Sequence, residues 1–418
     1  MAQLSDDCFA FGGELMPAAA ALALLKSKIV PLPETERVGL KEAAGRILAE
    51  PLVATRDVPP ADNVAVDGFA VYFDDLHETE TTIMTLSARA AAGHPLRDVA
   101  ARGTAIRVFT GALLPPGTDT VLMQEDCKVE HGAVHLPPGI KRGANRRRAG
   151  EDVKAGTTVL GAGRRLRAQE VGLAASLGLT SLLVYRPLRV ALFSTGDELR
   201  EPGEPLPLGA IYDANRYTLG ALLHGLGAQI SDLGILPDRP DAVRTALADA
   251  AQSHDLVLTS GGMSMGEEDH VKAAVEAQGS LHFWRLAIKP GRPVAMGQIG
   301  RVPFMGLPGN PVAVMVTFML LARPLILMLS GANDAGPRLY RVRAGFDYKK
   351  KPSRTEYVRA RLIRAEDGAW VAEKFARDGA GILTSMVESD GLVEIGDGIT
   401  KLAPGMTVDF LPFSEVIS

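Results

Sequence analysis

Apolar residues in the middle third of the chain follow two spacings, one typical of buried strands and one typical of amphipathic helices. Continuous apolar runs predict strands at 189–194, 229–236 and 255–258. Apolar residues at helical spacing in 219–226 and 243–250 predict two helices between those strands. Because strands that alternate with helices of this length form right-handed βαβ units, we predict an α/β domain built on a parallel sheet.

The flanking regions carry different patterns. An alanine- and leucine-rich run at 18–28 and helical spacing through 40–48 predict a helical start. Short alternating runs such as 104–109 and 120–124, separated by Gly, Pro and Asp, predict a small β-rich domain. A helix is predicted near 168–177, and short strands follow residue 331. We therefore predict an N-terminal helical and mixed scaffold domain (1–54 plus 144–186), a small β-rich domain (55–143), the α/β domain (187–330) and a C-terminal β-domain (331–418).

One run, 311–329, is apolar at nearly every position. Arg323 and Pro324 interrupt it, and Asn310 followed by Pro311 is typical of a helix start. These features predict a buried core helix and disfavour a membrane span.

Composition narrows the function classes. The chain has 418 residues, a net charge of -4 and an estimated pI of 6.1, so a broad nucleic-acid-binding face is not expected. Cys8 and Cys127 have no motif spacing, which disfavours a disulfide framework or a cysteine metal site. The N-terminus lacks the pattern of a signal peptide, so we expect a cytoplasmic protein without a membrane partner.

Candidate chemistry begins at the glycine-rich stretch 259–269, which lies between a predicted strand and a predicted helix. Adjacent glycines let the backbone approach a ligand, and a helix N-terminus offers N–H groups that suit phosphate. The alternative is a plain glycine turn. Turns 194–198 and 307–311 should lie beside it, because ligands of open α/β sheets bind at the carboxyl ends of parallel strands.

Charged residues near these turns complete a candidate site. Glu198 and Asp269 each follow a glycine turn. A carboxylate that faces a phosphate is repelled unless a cation lies between the two groups, and Mg²⁺ is suited to that position. Glu267 and Glu268 are more simply partners of the helix dipole. Arg285, Lys289 and Arg292 lie near one short apolar segment, and a second cluster spans 146–148; solvated surface is the alternative for both. His254, His270 and His282 lack metal-ligand spacing, and neither a Gly-x-Ser-x-Gly elbow nor a P-loop is present.

Seven motifs occur in a fixed order along the chain. They are AVDGFAV at 65–71, TGA at 110–112, 146–152, FSTGDEL at 193–199, SGGMSMG at 260–266 with Asp269, LAIKPG at 286–291 and GLPGNP at 306–311. With these motifs the chain resembles the molybdopterin molybdotransferases, to which the E domain of gephyrin also belongs. The resemblance implies an elongated homodimer of four-domain subunits and a Mg²⁺- and molybdate-dependent conversion of adenylylated molybdopterin to molybdenum cofactor with release of AMP.

The resemblance also implies roles for individual residues. Glu198 and Asp269 are implied to hold Mg²⁺ or the nucleotide phosphates, and Lys289 and Arg285 to bind molybdate or the dithiolene end of the pterin. The parts implied to complete the site from the partner subunit contain Asp67, Thr110, Arg147 and Asp152. Further residues implied to bind the pterin nucleotide lie in turns of the α/β domain: Thr195, Gly196, Asp238, Ser260, Gly261, Gly262, Ser264, Pro308, Gly309, Asn310 and Pro311.

Pattern and resemblance together predict a multidomain α/β plus β protein, with a central doubly wound α/β molybdopterin-binding domain, flanking β-rich domains and a C-terminal β-barrel-like domain. Implied protein partners are a molybdopterin adenylyltransferase and apo-molybdoenzymes.

Three features depart from the family pattern: Arg285 replaces the usual lysine, Val66 and Phe69 replace methionine and tyrosine, and 379–381 lacks an expected serine. These departures leave room for a tungstate-inserting paralogue. Two further alternative hypotheses are an adenylyltransferase-like enzyme and a non-catalytic cofactor-binding scaffold.

Overall fold

A computed structural model describes residues 15–32, 34–237, 239–261, 270–334 and 336–416. Its first segment contains helix α1 (Ala18–Lys28) and strands β1 (Thr35–Gly39) and β2 (Leu52–Val53). The prediction of α1 is confirmed.

The helix predicted through 40–48 is wrong. Only a short 3-10 turn, Leu40–Glu42, forms there. Gly45 has a φ of 82°, a left-handed conformation that interrupts a helix. Ile47 and Leu48 then form β-bridges to Arg165 and Val184. This part of the chain is therefore extended, and it packs against the scaffold core.

The next segment forms a six-stranded sheet in the order β7-β4-β6-β5-β9-β8. Both faces are apolar: Ile106 and Val121 lie on one, and Phe69 and Leu122 lie on the other. The strands predicted at 104–109 and 120–124 are confirmed. The strands of this segment are β3 (Asn63–Val64), β4 (Gly68–Val71), β5 (Thr82–Ala90), β6 (Thr104–Val108), β7 (Thr120–Met123), β8 (Lys128–Glu130) and β9 (Ala133–Leu136).

The chain then returns to its N-terminal part. Strand β10 (Arg146–Arg147) pairs with β3, β11 (Thr158–Leu160) with β2, and β12 (Ser181–Tyr185) with β1. Helix α2 (Ala168–Ser176) confirms the helix predicted near this position. Its first turn is closed by Glu170, whose carboxylate accepts a hydrogen bond from the backbone N–H of Arg167 at 2.9 Å.

The central segment is a six-stranded sheet in the order β16-β13-β17-β21-β20-β18. The first four strands are mutually parallel, which confirms the predicted parallel sheet, and β20 is antiparallel to both of its neighbours, β21 and β18. The elements are β13 (Arg189–Thr195), β14 (Leu199–Arg200), β15 (Ile211–Tyr212), α3 (Ala214–Gly225), β16 (Gln229–Leu236), α4 (Pro240–Ser253), β17 (Leu256–Ser260), α5 (His270–Glu276), β18 (Gly279–Arg285), β19 (Ile288–Lys289), β20 (Pro293–Ile299), β21 (Val302–Leu307), α6 (Pro311–Thr317) and α7 (Arg323–Leu329).

Helices α6 and α7 are joined by a π-helical turn, Phe318–Ala322, into one helix. By length and hydropathy this helix, Pro311–Leu329, could cross a membrane, yet 83% of its most apolar window is buried inside the protein. Its side chains pack with those of α1 and the sheet in the largest apolar cluster. The prediction of a core helix is confirmed.

The C-terminal segment closes into a barrel. Strand β24 pairs with both β25 and β26, and β22 and β28 complete a ring of five strands. Strand β19, which lies between β18 and β20 in the chain, runs parallel to the start of β24, so it attaches the barrel to the α/β domain beside Lys289. The elements are β22 (Tyr340–Ala344), β23 (Tyr348–Lys349), β24 (Thr355–Arg364), β25 (Trp370–Lys374), α8 (Thr384–Val387), β26 (Gly391–Ile395), β27 (Lys401–Leu402) and β28 (Thr407–Pro412).

A buried carboxylate ties the α/β sheet to the scaffold. Asp255, 8% exposed, precedes β17 and accepts hydrogen bonds from the guanidinium of Arg186 at 2.7 and 2.8 Å. It also accepts one from the backbone N–H of Arg189 at 2.8 Å. Burial alone would raise the pKa of Asp255, but these donors outweigh it and lower the pKa to about 2.

We expect Asp255→Asn to destabilise the protein in a pH-dependent way. A carboxyl group whose folded pKa lies below its unfolded value of 3.8 stabilises the fold above that value, and the contribution is lost as pH falls toward 2. The difference in unfolding free energy between wild type and variant should be about 2 kcal/mol at pH 7 and roughly half that at pH 3. Denaturant unfolding at both pH values measures it. The control is Asp241→Asn, because the Asp241 side chain is 90% exposed. A difference that does not change with pH would contradict the assignment.

Candidate active site

Three glycine-bearing turns meet at the carboxyl ends of β13, β17 and β21. The backbone N–H of Gly261 donates to the carbonyl of Leu307 at 3.3 Å. A Cβ added at Gly261 would lie 3.0 Å from the carbonyl oxygen of Thr195, and one added at Gly309 would lie 4.0 Å from the Cα of Gly261. Gly261 also has a φ of 83°, so glycine is required there on both counts. The predicted convergence of the three turns is confirmed.

Asn215, which was not among the predicted site residues, joins two of these turns by hydrogen bonds. It lies in the first turn of α3, and its Nδ2 donates to Ser260 Oγ at 2.9 Å and to the carbonyl of Gly309 at 2.7 Å. Ser260 Oγ in turn donates to the carbonyl of Pro308 at 3.1 Å. The only sequence signal for this role was the position of an asparagine at a helix start facing the ligand edge.

A small hollow of about 90 Å³ lies among these turns, lined by residues that include Thr195, Glu198, Asn215 and Ser260. Thr195 is 3% exposed, and its hydroxyl finds no hydrogen-bond partner among the described residues. A buried hydroxyl without a partner is costly, and a ligand oxygen in the hollow would satisfy it.

A larger cavity of about 510 Å³ lies between the turns and the barrel. Six of the predicted site residues line it: Glu198, Gly261, Lys289, Pro308, Gly309 and Asn310. The barrel wall was not predicted. Its lining residues include Tyr348, Glu356, Arg359, Asp378, Gly379 and Ala380.

Glu356 is the centre of the barrel wall. It is 2% exposed and accepts a hydrogen bond from Lys289 Nζ at 3.2 Å and one from the Tyr348 hydroxyl at 2.7 Å. Arg354 Nε donates to its other oxygen at 2.9 Å. Burial would raise the pKa of Glu356, but the hydrogen bonds from Tyr348 and Lys289 and the charges of Lys289 and Arg354 lower it overall. The buried acid therefore stays ionised and holds the Lys289 ammonium at the cavity.

Arg359 brings a second positive charge to this wall. It is 8% exposed, and its guanidinium donates to Ser385 Oγ at 3.0 Å and to the carbonyl of Gly379 at 3.1 Å. Burial lowers its pKa, yet a guanidinium remains charged at any physiological pH. The segment 379–381, which lacks the expected serine, contributes Gly379 and Ala380 to the cavity lining.

Several predicted site residues lie elsewhere in the subunit. Asp67, Thr110, Arg147, Asp152 and Arg285 are described residues that are not part of the cavity lining. Asp67 accepts hydrogen bonds from the backbone N–H of Thr110 at 2.8 Å and from its hydroxyl at 2.7 Å, which lowers the pKa of Asp67. Arg285 is an exposed residue at the end of β18, paired with Pro293, which does line the cavity.

The remaining predicted residues fall into two groups. Gly196 and Pro311 lie in the converging turns, and a Cβ at Gly196 would meet the Glu198 carboxylate at 2.6 Å. Asp238, Gly262, Ser264 and Asp269 lie outside the described residues. Among the residues that are described, no group of three or more His, Cys, Asp or Glu could hold a metal ion. Of the predicted magnesium pair, Glu198 is therefore the member whose position is known.

Three family models match successive parts of the chain. The MoeA N-terminal region (domain I and II) matches residues 16–178, a probable molybdopterin binding domain matches 191–328, and the MoeA C-terminal region (domain IV) matches 341–413.

Individual relatives match over nearly the whole length. The molybdopterin molybdenumtransferase of Haemophilus influenzae is 39% identical, with 93% of this chain and 96% of the relative covered. That of Nostoc sp. is 34% identical, with 94% and 93% covered. The crystal structure of a molybdopterin biosynthesis moeA protein from Pyrococcus horikoshii OT3 superposes with a TM-score of 0.80 at 30% identity and covers 96% of this chain and 100% of that chain.

We expect Asn215→Ala to loosen the joined turns and weaken phosphate binding there. Loss of two hydrogen bonds should reduce affinity for AMP, used as a probe, by about tenfold. Titration calorimetry measures this change. Thr218→Ala is the matched control, since its hydroxyl bonds only the carbonyl of Ala214 in the same helix. Equal affinities of the two variants would show that Asn215 does not organise the site.

Proposed function

The chain belongs to the molybdopterin molybdenumtransferase family, and we propose that its larger cavity, with the adjoining hollow, binds adenylylated molybdopterin and molybdate and releases AMP with the help of Mg²⁺. The family reaction makes it a transferase that inserts molybdenum into molybdopterin. The proposal for the site rests on one observation. The glycine-bearing turns and the Lys289–Glu356 pair line the same cavity.

The turn side of the cavity suits the phosphates of the substrate. Gly261 brings the backbone close to any ligand, and Thr195 offers a buried hydroxyl to the adjoining hollow. Closely packed backbone turns at strand ends are suited to anions because they present N–H groups without the bulk of side chains. We assign this side to the phosphoryl groups of the pterin nucleotide.

Glu198 lines both the larger cavity and the small hollow, a position that suits a ligand of Mg²⁺. This ion commonly takes one or two carboxylates from the protein and completes its shell with water and substrate phosphates. When bound, the ion would polarise the phosphoanhydride. Glu198 would be one of the ligands that hold it, and Asp269 remains the predicted second ligand.

The barrel side suits an oxyanion. Lys289 is half-exposed toward the cavity and is aligned by buried Glu356, while Arg359 adds a fixed guanidinium. Phosphate and molybdate repel each other when they are brought together, and this repulsion is the main electrostatic barrier to exchanging AMP for the metal oxyanion. Cations that are in position before the substrate binds offset it. No covalent nucleophile is needed for this step.

We place Asp67, Thr110, Arg147 and Asp152 at the active site of a partner subunit in a homodimer. The support is that these residues do not line the cavity of their own chain although the resemblance assigns them to the site. Asp67 is held in place by its hydrogen bonds with Thr110 and is partly exposed to solvent, as a group acting across an interface requires. A cytoplasmic location, with a molybdopterin adenylyltransferase and apo-molybdoenzymes as partners, completes the proposal.

Glu198→Gln should lower the rate of AMP release. With purified protein, adenylylated molybdopterin, Mg²⁺ and molybdate, we expect a loss of at least about tenfold and a higher Mg²⁺ concentration for half-maximal rate, because a ligand charge is removed. Glu204→Gln, an exposed acid on the loop that follows, is the control. An unchanged Mg²⁺ dependence would remove Glu198 from this role, and no AMP release by the wild type would end the proposal for the site.

Mixing two inactive variants tests the shared site. Asp67→Asn and Glu198→Gln subunits, refolded or exchanged together, should regain about one quarter of wild-type activity, because half of the dimers then carry one intact site. Each variant exchanged with itself is the control. Mixed dimers that are detected by native mass spectrometry but remain inactive would show that both residues act within one chain.

A further inference from the structure

A separate cavity of about 350 Å³ lies on the outer side of the barrel and shares no lining residue with the active-site cavity. Its walls come from the paired strands β24 and β25, through Arg361 and Glu373, and from the residues that follow α8. Ala360 and Ala372 belong to the barrel core, so the alternation along each strand directs Arg361 and Glu373 outward. We call this space the outer cavity.

Ser389 gives the outer cavity a buried polar group that lacks a partner. It lies two residues beyond the end of α8, is 8% exposed and lines the cavity. Its hydroxyl finds no hydrogen-bond partner among the residues that the structure describes. Rotation about the single side-chain torsion of serine can turn this hydroxyl toward the cavity. Because an unsatisfied buried hydroxyl is costly, a ligand that bonds it is favoured.

The charged side chains of the lining include both signs in equal number, and they are not all paired within the outer cavity. Arg361 pairs with Glu373 at 2.6 Å. Lys374, whose side chain is 18% exposed, pairs at 2.9 Å with Asp378, which lines the active-site cavity instead. Glu388 is exposed and forms no ion pair in the described parts of the chain. The outer cavity thus offers an ammonium from β25 and a carboxylate from the opposite segment.

We propose that the outer cavity binds a small zwitterion, a free α-amino acid with an apolar side chain. Lys374 and the hydroxyl of Ser389 bind its carboxylate, and Glu388 binds its ammonium. An anion alone would be repelled by Glu388, and a cation alone would be repelled by Lys374. Phe375 and Ala376 supply an apolar surface for the side chain of the ligand. A volume of about 350 Å³ lies at the lower end for ligand pockets and suits a molecule of this size.

One segment of the chain connects the outer cavity with the active-site cavity. The segment 375–389 lines the outer cavity with its two ends and the active-site cavity with residues 378–380. Its Ser385 accepts a hydrogen bond from the guanidinium of Arg359 at 3.0 Å. A ligand carboxylate at Lys374 also competes with the acid of this segment that Lys374 now binds. Occupation of the outer cavity therefore acts on the barrel wall of the active site, whereas the binding itself does not depend on the proposed function.

Ligand-observed NMR titration of the full chain tests the proposal with L-leucine and two analogues that each carry a single charge. Isocaproate is leucine without its ammonium group, and isoamylamine is leucine without its carboxylate. The cavity variants are Glu388→Gln, Lys374→Gln and Ser389→Ala. The matched control is Glu366→Gln, an exposed acid in the turn between β24 and β25. Lys289→Ala is a second control, because a carboxylate can also enter the active-site cavity.

We expect the wild type to bind leucine saturably and at least about tenfold more tightly than either analogue, because each analogue lacks one charge-assisted hydrogen bond. Each cavity variant should weaken leucine binding by at least about tenfold for the same reason, and both controls should keep wild-type affinity. Glu388 is exposed, so its variant should fold even if Ser389→Ala does not. The proposal would be overturned by wild-type affinity in Glu388→Gln, by isocaproate binding as tightly as leucine, by loss of leucine binding in Lys289→Ala, or by a wild type that binds no leucine.

Discussion

The buried carboxylate of Glu356 is the interaction on which the site depends. An ionised acid that is 2% exposed is tolerable only when donors surround it, and Lys289, Arg354 and Tyr348 supply them. Lys289 belongs to the short strand β19, which pairs with the first residues of β24. The compensation of one buried charge therefore requires the barrel to lie against the α/β sheet, and the cavity is the space that this arrangement encloses.

The wall of the cavity opposite the barrel is determined by the topology of the parallel sheet. Parallel strands place their following turns at one edge, and side-by-side β13, β17 and β21 bring three turns within van der Waals distance. Gly261 is favoured there because its φ is 83° and because an added Cβ would lie only 3.0 Å from the carbonyl oxygen of Thr195. The site thus combines a rigid backbone wall suited to phosphate with a charged wall suited to a metal oxyanion, and neither domain provides both.

Local patterns predicted the elements of the α/β segment because each strand and helix there is long, periodic and paired with near neighbours in sequence. The same reasoning failed at 40–48, where apolar spacing agrees with a helix but Gly45 and bridges to residues 165 and 184 impose an extended path. Glu356 was not recognised, since an acid in a strand normally faces solvent and its partner Lys289 lies 67 residues away. Asn215 was missed for the same reason, with partners 45 and 94 residues distant. Side chains that join distant segments leave no periodic pattern in the sequence.

Buried acids in this chain lie beside arginines. Asp255 pairs with Arg186 and Arg189, Glu170 pairs with Arg164 and Arg167, and Asp213 pairs with Arg216. An ionised acid that is taken out of water requires such donors, because its burial is otherwise too costly. At Asp255 the same requirement also joins two segments, since Arg186 belongs to the scaffold and Asp255 leads into β17 of the α/β sheet. Buried charge thus determines how the scaffold lies on the α/β sheet, as Glu356 does for the barrel.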